Sequence, residues 1–129
     1  MGCIVLSDEL LNKAVKLHGH LGPFLVLGLR MSLKARELLG DKPEKCVLET
    51  LNCKPYLCTA DGIRTVYEEC TVEVQKRDGL AATFVDSSGK SATISVKSSL
   101  IERYIKAPWE KCEECAYEVM RSHDSQLFE

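Results

Sequence analysis

The feature that most constrains this chain is the stretch at residues 18–30, which runs His-Gly-His-Leu-Gly-Pro-Phe-Leu-Val-Leu-Gly-Leu-Arg. Two histidines two positions apart lie on opposite sides of a helix, but on the same face of an extended segment. Gly19 between them and Gly22 after them favour the extended arrangement, and Pro23 suits the first position of a new helix. The stretch therefore predicts a bent polar loop that runs directly into an apolar helix.

His18 and His20 are the candidate site residues of this loop. The unpaired backbone N–H groups at the start of the following helix favour an anion or a carboxylate beside them. Two imidazoles near a positive helix end are compatible with a binding site. They are also compatible with a tight turn in which the histidines only bond to their neighbours, so the local pattern leaves both interpretations open.

Length and charge limit the class of protein. The chain has 129 residues, which is enough for one domain with a hydrophobic core. A formal net charge of -2 gives no broad basic surface, so nucleic acid is not an expected partner. The first six residues lack the basic flank of a signal peptide, and no apolar run approaches a membrane span. We therefore expect a cytoplasmic protein.

Hydrophobic periodicity predicts helices at both ends of the chain and strands between them. Predicted helices cover residues 8–18, 23–39, 60–68, 99–106 and 108–122, and predicted strands cover 46–51, 71–75, 80–85 and 91–96. Arg77-Asp-Gly79 is typical of a hairpin turn, and the tail after residue 122 is expected to fray. The order predicts an α+β fold in which N-terminal helices pack on an antiparallel β-meander, with C-terminal helices.

Gly28 lies in the middle of the predicted apolar helix, where glycine is less favourable than alanine by ~1 kcal/mol. Such a glycine permits another backbone or a ligand to approach closely. We interpret Gly28 as a position of close backbone packing.

Seven cysteines cannot all pair within one chain, so a complete disulfide framework is excluded. In a reducing cytosol they serve as metal ligands, redox thiols or buried apolar residues.

Cys58 precedes a predicted helix start, where the helix dipole lowers the pKa of a thiol. Thiolate and imidazole together suit zinc or another divalent transition metal. Asp61 in the next turn is compatible with a cap, a ligand or a base, of which the cap is preferred.

Two further cysteine positions are assigned by spacing. A helix between Cys58 and Cys70 spans ~15 Å, too far for both sulfurs to share one ion, so Cys70 is assigned to packing or to the outer shell of a site. Cys112 and Cys115 share one face of the last helix and are compatible with chelation or with a redox dithiol. Since no second pair follows, we predict that these two are dispensable for folding. Nothing in the sequence assigns a role to Cys3, Cys46 or Cys53.

These motifs resemble the E-subunit family of formylmethanofuran dehydrogenase. The resemblance covers about residues 7–96. It rests on His18-Gly-His-Leu-Gly-Pro23, Gly28-Leu-Arg30, Cys58-Thr-Ala-Asp61-Gly-Ile, Cys70-Thr71 and Gly89-Lys90. It implies an α+β core that is usually dimeric, with a metal pocket lined by the histidine motif and by the Cys-x-x-Asp helix start.

The resemblance also implies roles for individual residues. His18, His20 and Cys58 would bind zinc or another divalent transition metal, with a coordination position left open. Asp61 would be the candidate catalytic residue. Independently of the resemblance, we assign Arg30 and Cys70 to the outer shell of the site and treat Cys112 and Cys115 as a candidate for a separate thiol site.

The parent enzyme of the family is a molybdenum or tungsten oxidoreductase complex that reduces carbon dioxide onto methanofuran in methanogenic archaea.

Three departures from the family pattern stand out. Gly22 replaces a cysteine of many relatives, residues 72–76 replace a glycine-lysine-glycine run, and one cysteine pair stands where longer relatives have two. We therefore divide the chain into a core domain, residues 1–106, and a C-terminal helical tail, residues 107–129.

Two alternatives stay open beside a metal-dependent component of an oxidoreductase. One is a non-catalytic accessory protein whose metal is structural. The other is a cytosolic thiol redox protein that uses Cys112 and Cys115.

Overall fold

A computed structural model describes residues 7–129, and Cys3 lies outside this range. The helices are α1 (Asp8–His18), α2 (Pro23–Leu39), α3 (Cys58–Val66), α4 (Ser98–Lys106), α5 (Cys112–Arg121) and α6 (Asp124–Leu127), with a 3₁₀ turn at Trp109–Lys111. The strands are β1 (Pro43–Thr50), β2 (Thr71–Lys76), β3 (Leu80–Asp86) and β4 (Ser91–Ser95). The α+β class is confirmed, with helices before and after the sheet.

The first two helices begin and end where the sequence predicts. The Ser7 side chain accepts a hydrogen bond from the backbone N–H of Leu10, which caps α1. Gly19 follows α1 with φ 104° and Gly40 follows α2 with φ 74°, left-handed conformations that glycine adopts without strain. Pro23 is the first residue of α2, so the two helices are joined by the short segment that carries His20.

The sheet is mixed, with strand order β2-β1-β3-β4. β1 pairs with β2 in parallel and with β3 in antiparallel orientation, and β3 forms an antiparallel hairpin with β4. The predicted meander is therefore wrong at its first step, because β2 and β3 lie on opposite sides of β1. Arg77-Asp-Gly79 does not close a hairpin.

The connection between β2 and β3 passes around the end of β1. The Arg77 N–H donates to the carbonyl oxygen of Thr50 at 3.1 Å, and the Thr50 hydroxyl donates to the Gly79 carbonyl at 2.9 Å. The crossover through α3 brings the chain back to the start of β1, so β2 must run parallel to β1. β3 then returns on the free side of β1.

The apolar α2 is the central helix of the core, and α3, α5 and the sheet pack around it. Its buried residues include Phe24, Leu25, Val26, Leu27, Leu29 and Met31.

The predicted fraying of the tail is wrong, because Leu127 is buried and Phe128 forms a bridge with Val96. Among residues 7–129 no helix has the length and hydrophobicity needed to cross a membrane.

Candidate metal centre

A cavity of about 380 Å³ lies where the N-terminal helices, α3 and the C-terminal segment meet. Its walls come from the loop between α1 and α2, the first turn of α2, the start of α3 and the chain around α5. The polar and thiol side chains that line it are those of His18, His20, Lys54, Cys58, Tyr104 and Cys112. The sequence prediction thus names three of these residues as ligands, and the fold adds Lys54, Tyr104 and Cys112.

His18 is held in one orientation by Asp61. Its side chain is only 6% exposed, and its Nδ1 lies 2.6 Å from Oδ2 of Asp61. A carboxylate only accepts hydrogen bonds, so in the neutral imidazole the proton is on Nδ1 and Nε2 presents a lone pair. That Nε2 atom is buried and has no hydrogen-bond partner. Metal-binding histidines are held in this way, with a carboxylate on the second nitrogen.

The preferred assignment of Asp61 as a helix cap is wrong. Its carboxylate bonds to His18 and lies 3.7 Å from the Arg64 guanidinium. The residue that precedes α3 is Leu57, which makes no side-chain capping bond. The helix starts two residues earlier than predicted, which makes Cys58 its first residue.

His20 lies between His18 and Trp109. The His20 ring centroid is 4.7 Å from that of His18 and 5.1 Å from that of Trp109. Burial, the neighbouring His18 and the positive charge of Lys54 all lower the pKa of His20. The imidazole is thereby favoured in its neutral form, which is the form that binds a metal.

The predicted lowering of the Cys58 pKa is wrong. Burial raises it first and the Asp61 charge second, and the weaker effects of Lys54 and of a backbone hydrogen bond do not reverse this. In the absence of a cation the Cys58 thiol is therefore favoured in its protonated form. A coordinated metal ion would reverse this preference, because it deprotonates a thiol ligand outright.

Cys112 lies in the cavity lining beside Gly22. An ideal Cβ atom built on Gly22 would lie 3.3 Å from the Cys112 sulfur and 3.5 Å from Nε2 of His20. The fold therefore brings Cys112 to the predicted ligands, although sequence spacing treats it as part of a separate site. No local signal identifies this position, because Cys112 is far along the chain from the histidine loop.

Arg30 and Cys70 lie away from the cavity lining. The Arg30 guanidinium donates to the carbonyl oxygen of Val119 at 2.7 Å and to Oδ1 of Asp124 at 3.0 Å, which fixes the end of α5. Cys70 is buried near Cys46, and its thiol donates to the Thr71 carbonyl at 3.8 Å. Its assignment to packing agrees with this position.

The C-terminal thiols lack the electrostatic signature of an activated redox pair. Burial and the Glu113 charge raise the pKa of Cys112, and burial and the Glu118 charge raise the pKa of Cys115. Reactive thiols have a lowered pKa. Cys46 is buried, Cys53 is exposed, and none of the six cysteines in residues 7–129 forms a disulfide.

Within the described part of the chain, no three His, Cys, Asp or Glu side chains are close enough together to form a complete metal site as they stand. The donor chemistry of the cavity nevertheless fits a transition metal. It combines two imidazoles with two thiols, and one imidazole nitrogen is buried without a partner. Nitrogen and sulfur donors of this kind suit zinc and related ions.

Fold and cavity define an α+β protein with a histidine- and cysteine-lined pocket between its helices. Residues 17–129 match the family model described as FmdE, Molybdenum formylmethanofuran dehydrogenase operon. The chain belongs to this family, as the resemblance of its motifs implies, and the match extends through the C-terminal segment. No curated protein matches the chain.

Proposed function

We propose that this chain is a metal-binding protein related to formylmethanofuran dehydrogenase, and that His18, His20 and Cys58 hold zinc or another divalent transition metal. The observation that carries the proposal is the buried, unpartnered Nε2 of His18, whose other nitrogen is bonded to Asp61. A buried nitrogen without a partner costs free energy. A bound cation would satisfy it.

Two functions are compatible with such a centre. With three protein ligands, an ion keeps an open position and supplies Lewis-acid or water-activating chemistry. In that case the Lys54 ammonium favours an anionic substrate, and Asp61 positions His18 instead of exchanging protons. The family assignment supports a role in or beside a molybdenum or tungsten oxidoreductase of one-carbon metabolism, as in archaeal methanogenesis.

The second candidate is an accessory protein whose metal is structural. A specific observation favours it, namely the position of Cys112, a fourth donor, on the cavity wall. A thiol redox function that uses Cys112 and Cys115 has less support, since the pKa of each thiol is raised. The cytoplasmic location stays a prediction.

The proposed metal site is tested by elemental analysis of protein purified without a histidine tag. We expect His20→Ala and Cys58→Ser to lose bound metal while circular dichroism keeps the native helix content. His123→Ala and Cys53→Ser serve as controls, because both side chains are outside the cavity lining. Retention of metal by both site variants would place the ion elsewhere in the chain.

A homodimer is part of the same proposal. Trp109 is 71% exposed and Tyr117 is also exposed, which leaves aromatic surface beside the cavity and on α5. A second copy or a larger oxidoreductase is expected to cover this surface. Sedimentation at micromolar concentration tests the dimer, and a monomer there would exclude it.

A further inference from the structure

We propose that Cys112 is a fourth ligand of the metal centre, so that the ion ties α5 to the N-terminal helices. The inference rests on the proposed metal function and specifies its kind. With Cys112 the donor set becomes two imidazoles and two thiolates, which is a closed tetrahedral set of the structural zinc type.

The first observation behind this proposal is the open space beside Gly22. An ideal Cβ atom built on Gly22 would lie 3.3 Å from the Cys112 sulfur and 3.5 Å from Nε2 of His20. Because residue 22 is glycine, no side chain occupies this position. The sulfur and the nitrogen are therefore separated by no more than the sum of those two distances. A side chain at position 22 would crowd Cys112, because a contact of 3.3 Å is tighter than most real Cβ contacts. Glycine keeps the region between the two donors open.

A second observation points to a ligand in the same cavity. His18 also lines it, and the Nε2 atom of its 6%-exposed side chain has no hydrogen-bond partner. Cys58 completes the lining on the side of α3. Cys112 thus lines the same cavity as Cys58 and as His18, whose buried Nε2 has no hydrogen-bond partner.

Contacts outside the cavity lining dock the helix that carries Cys112. Arg30 of α2 bonds to the Val119 carbonyl near the end of α5 and to Asp124 at the start of α6, so these contacts dock α5 without any ion. Cys115, one turn further along α5, packs against the core and is not part of the cavity lining. It is therefore a matched control of the same residue type on the same helix.

The test is a titration of metal-free protein with Co²⁺, whose thiolate charge-transfer absorption reports sulfur ligands. We expect Cys112→Ser and Cys112→Ala to lose about half of this absorption, since one of two thiolates is removed. Their Co²⁺ affinity should fall by more than the ~10–100-fold that loss of an outer-shell partner costs. Cys115→Ser should leave the absorption and the affinity unchanged.

The unmodified chain provides a second measurement that needs no folded variant. Mass spectrometry measures the rate at which iodoacetamide alkylates each cysteine. Zn²⁺ should lower this rate at Cys112 and leave it unchanged at the exposed Cys53.

The outcomes separate the two proposals. Co²⁺ binding with undiminished charge transfer in both Cys112 variants, and no protection of Cys112 by Zn²⁺, would overturn the fourth ligand and leave the site of His18, His20 and Cys58 in place. Absence of Co²⁺ binding by the unmodified chain would overturn both proposals. Equal losses in the Cys112 and Cys115 variants would also overturn both, because the ion would then lie at the Cys-x-x-Cys pair.

Discussion

Gly28 of α2 and Gly62 of α3 lie against each other where the two helices cross, and neither position has room for a Cβ atom. A Cβ on Gly28 would lie 2.2 Å from the carbonyl oxygen of Thr59, and one on Gly62 would lie 2.3 Å from that of Leu25. The predicted close packing at Gly28 is confirmed. Because the backbones touch, this crossing holds the Cys58 end of α3 beside the first turn of α2, where the histidine loop ends.

Gly28→Ala is expected to destabilise the protein, although alanine is the better helix former by ~1 kcal/mol. The methyl group has only backbone atoms to displace, and overpacking of this kind typically costs ~1–3 kcal/mol. Urea unfolding followed by circular dichroism measures the change, with Glu37→Ala on the exposed face of α2 as the control. An unchanged or higher free energy of unfolding for Gly28→Ala would show that the helices can move apart without cost.

Asp61→Asn is expected to weaken metal binding without unfolding the chain. The amide can donate a hydrogen bond to Nδ1 of His18, which moves the proton to Nε2 and removes the lone pair that would bind a metal. Loss of such an outer-shell partner costs ~10–100-fold in metal affinity. Competition with a chromophoric chelator for Zn²⁺ measures this, with the exposed Glu69→Gln as the control. Equal affinities for the two variants would mean that Asp61 does not orient His18 for a metal.

Arg30→Met is expected to lower the free energy of unfolding by about 1.5–3 kcal/mol, the range for hydrogen bonds that involve a charged group. The Arg30 side chain is 13% exposed and bonds to the Val119 carbonyl, so its removal leaves that carbonyl without its charged partner. Arg103→Met is the matched control. Arg103 is 60% exposed and pairs with Glu118, and surface pairs contribute at most about 1 kcal/mol. Comparable losses in the two variants would contradict a structural role for Arg30.

Cys46→Ala is expected to reduce the loss of stability at alkaline pH. Burial raises the pKa of the Cys46 thiol from 9.0 to about 12. Between these values the unfolded chain releases the Cys46 proton and the folded chain retains it, so the stability contribution is complete below pH 9 and is lost as the pH rises. Urea unfolding at a series of pH values from about 7 to about 11 should give a shallower decline for Cys46→Ala. Cys53→Ala, at an exposed position, should follow the unmodified protein.

The sequence by itself determined the local features of this protein. Ser7, Gly19, Pro23 and Gly40 mark the ends of α1 and α2 correctly, because caps and left-handed turns depend on residues a few positions apart. The order of predicted helices and strands was enough to predict the α+β class, because each element is also recognised from residues a few positions apart. The histidine loop was identified from a short motif whose chemistry is visible in the residue types alone, and the start of α3 was located to within two residues.

Only the tertiary structure decided what depends on distant parts of the chain. An alternating strand pattern shows which face is buried but not which strand is its neighbour, so the position of β2 beside β1 followed from packing. The pKa of Cys58 rises because packing buries it beside Asp61, which outweighs the effect of the helix start. Cys112 reaches the cavity because α5 packs on α2, and the hydrogen bond from Arg30 to the Val119 carbonyl in this contact joins residues 89 positions apart, which no spacing rule predicts.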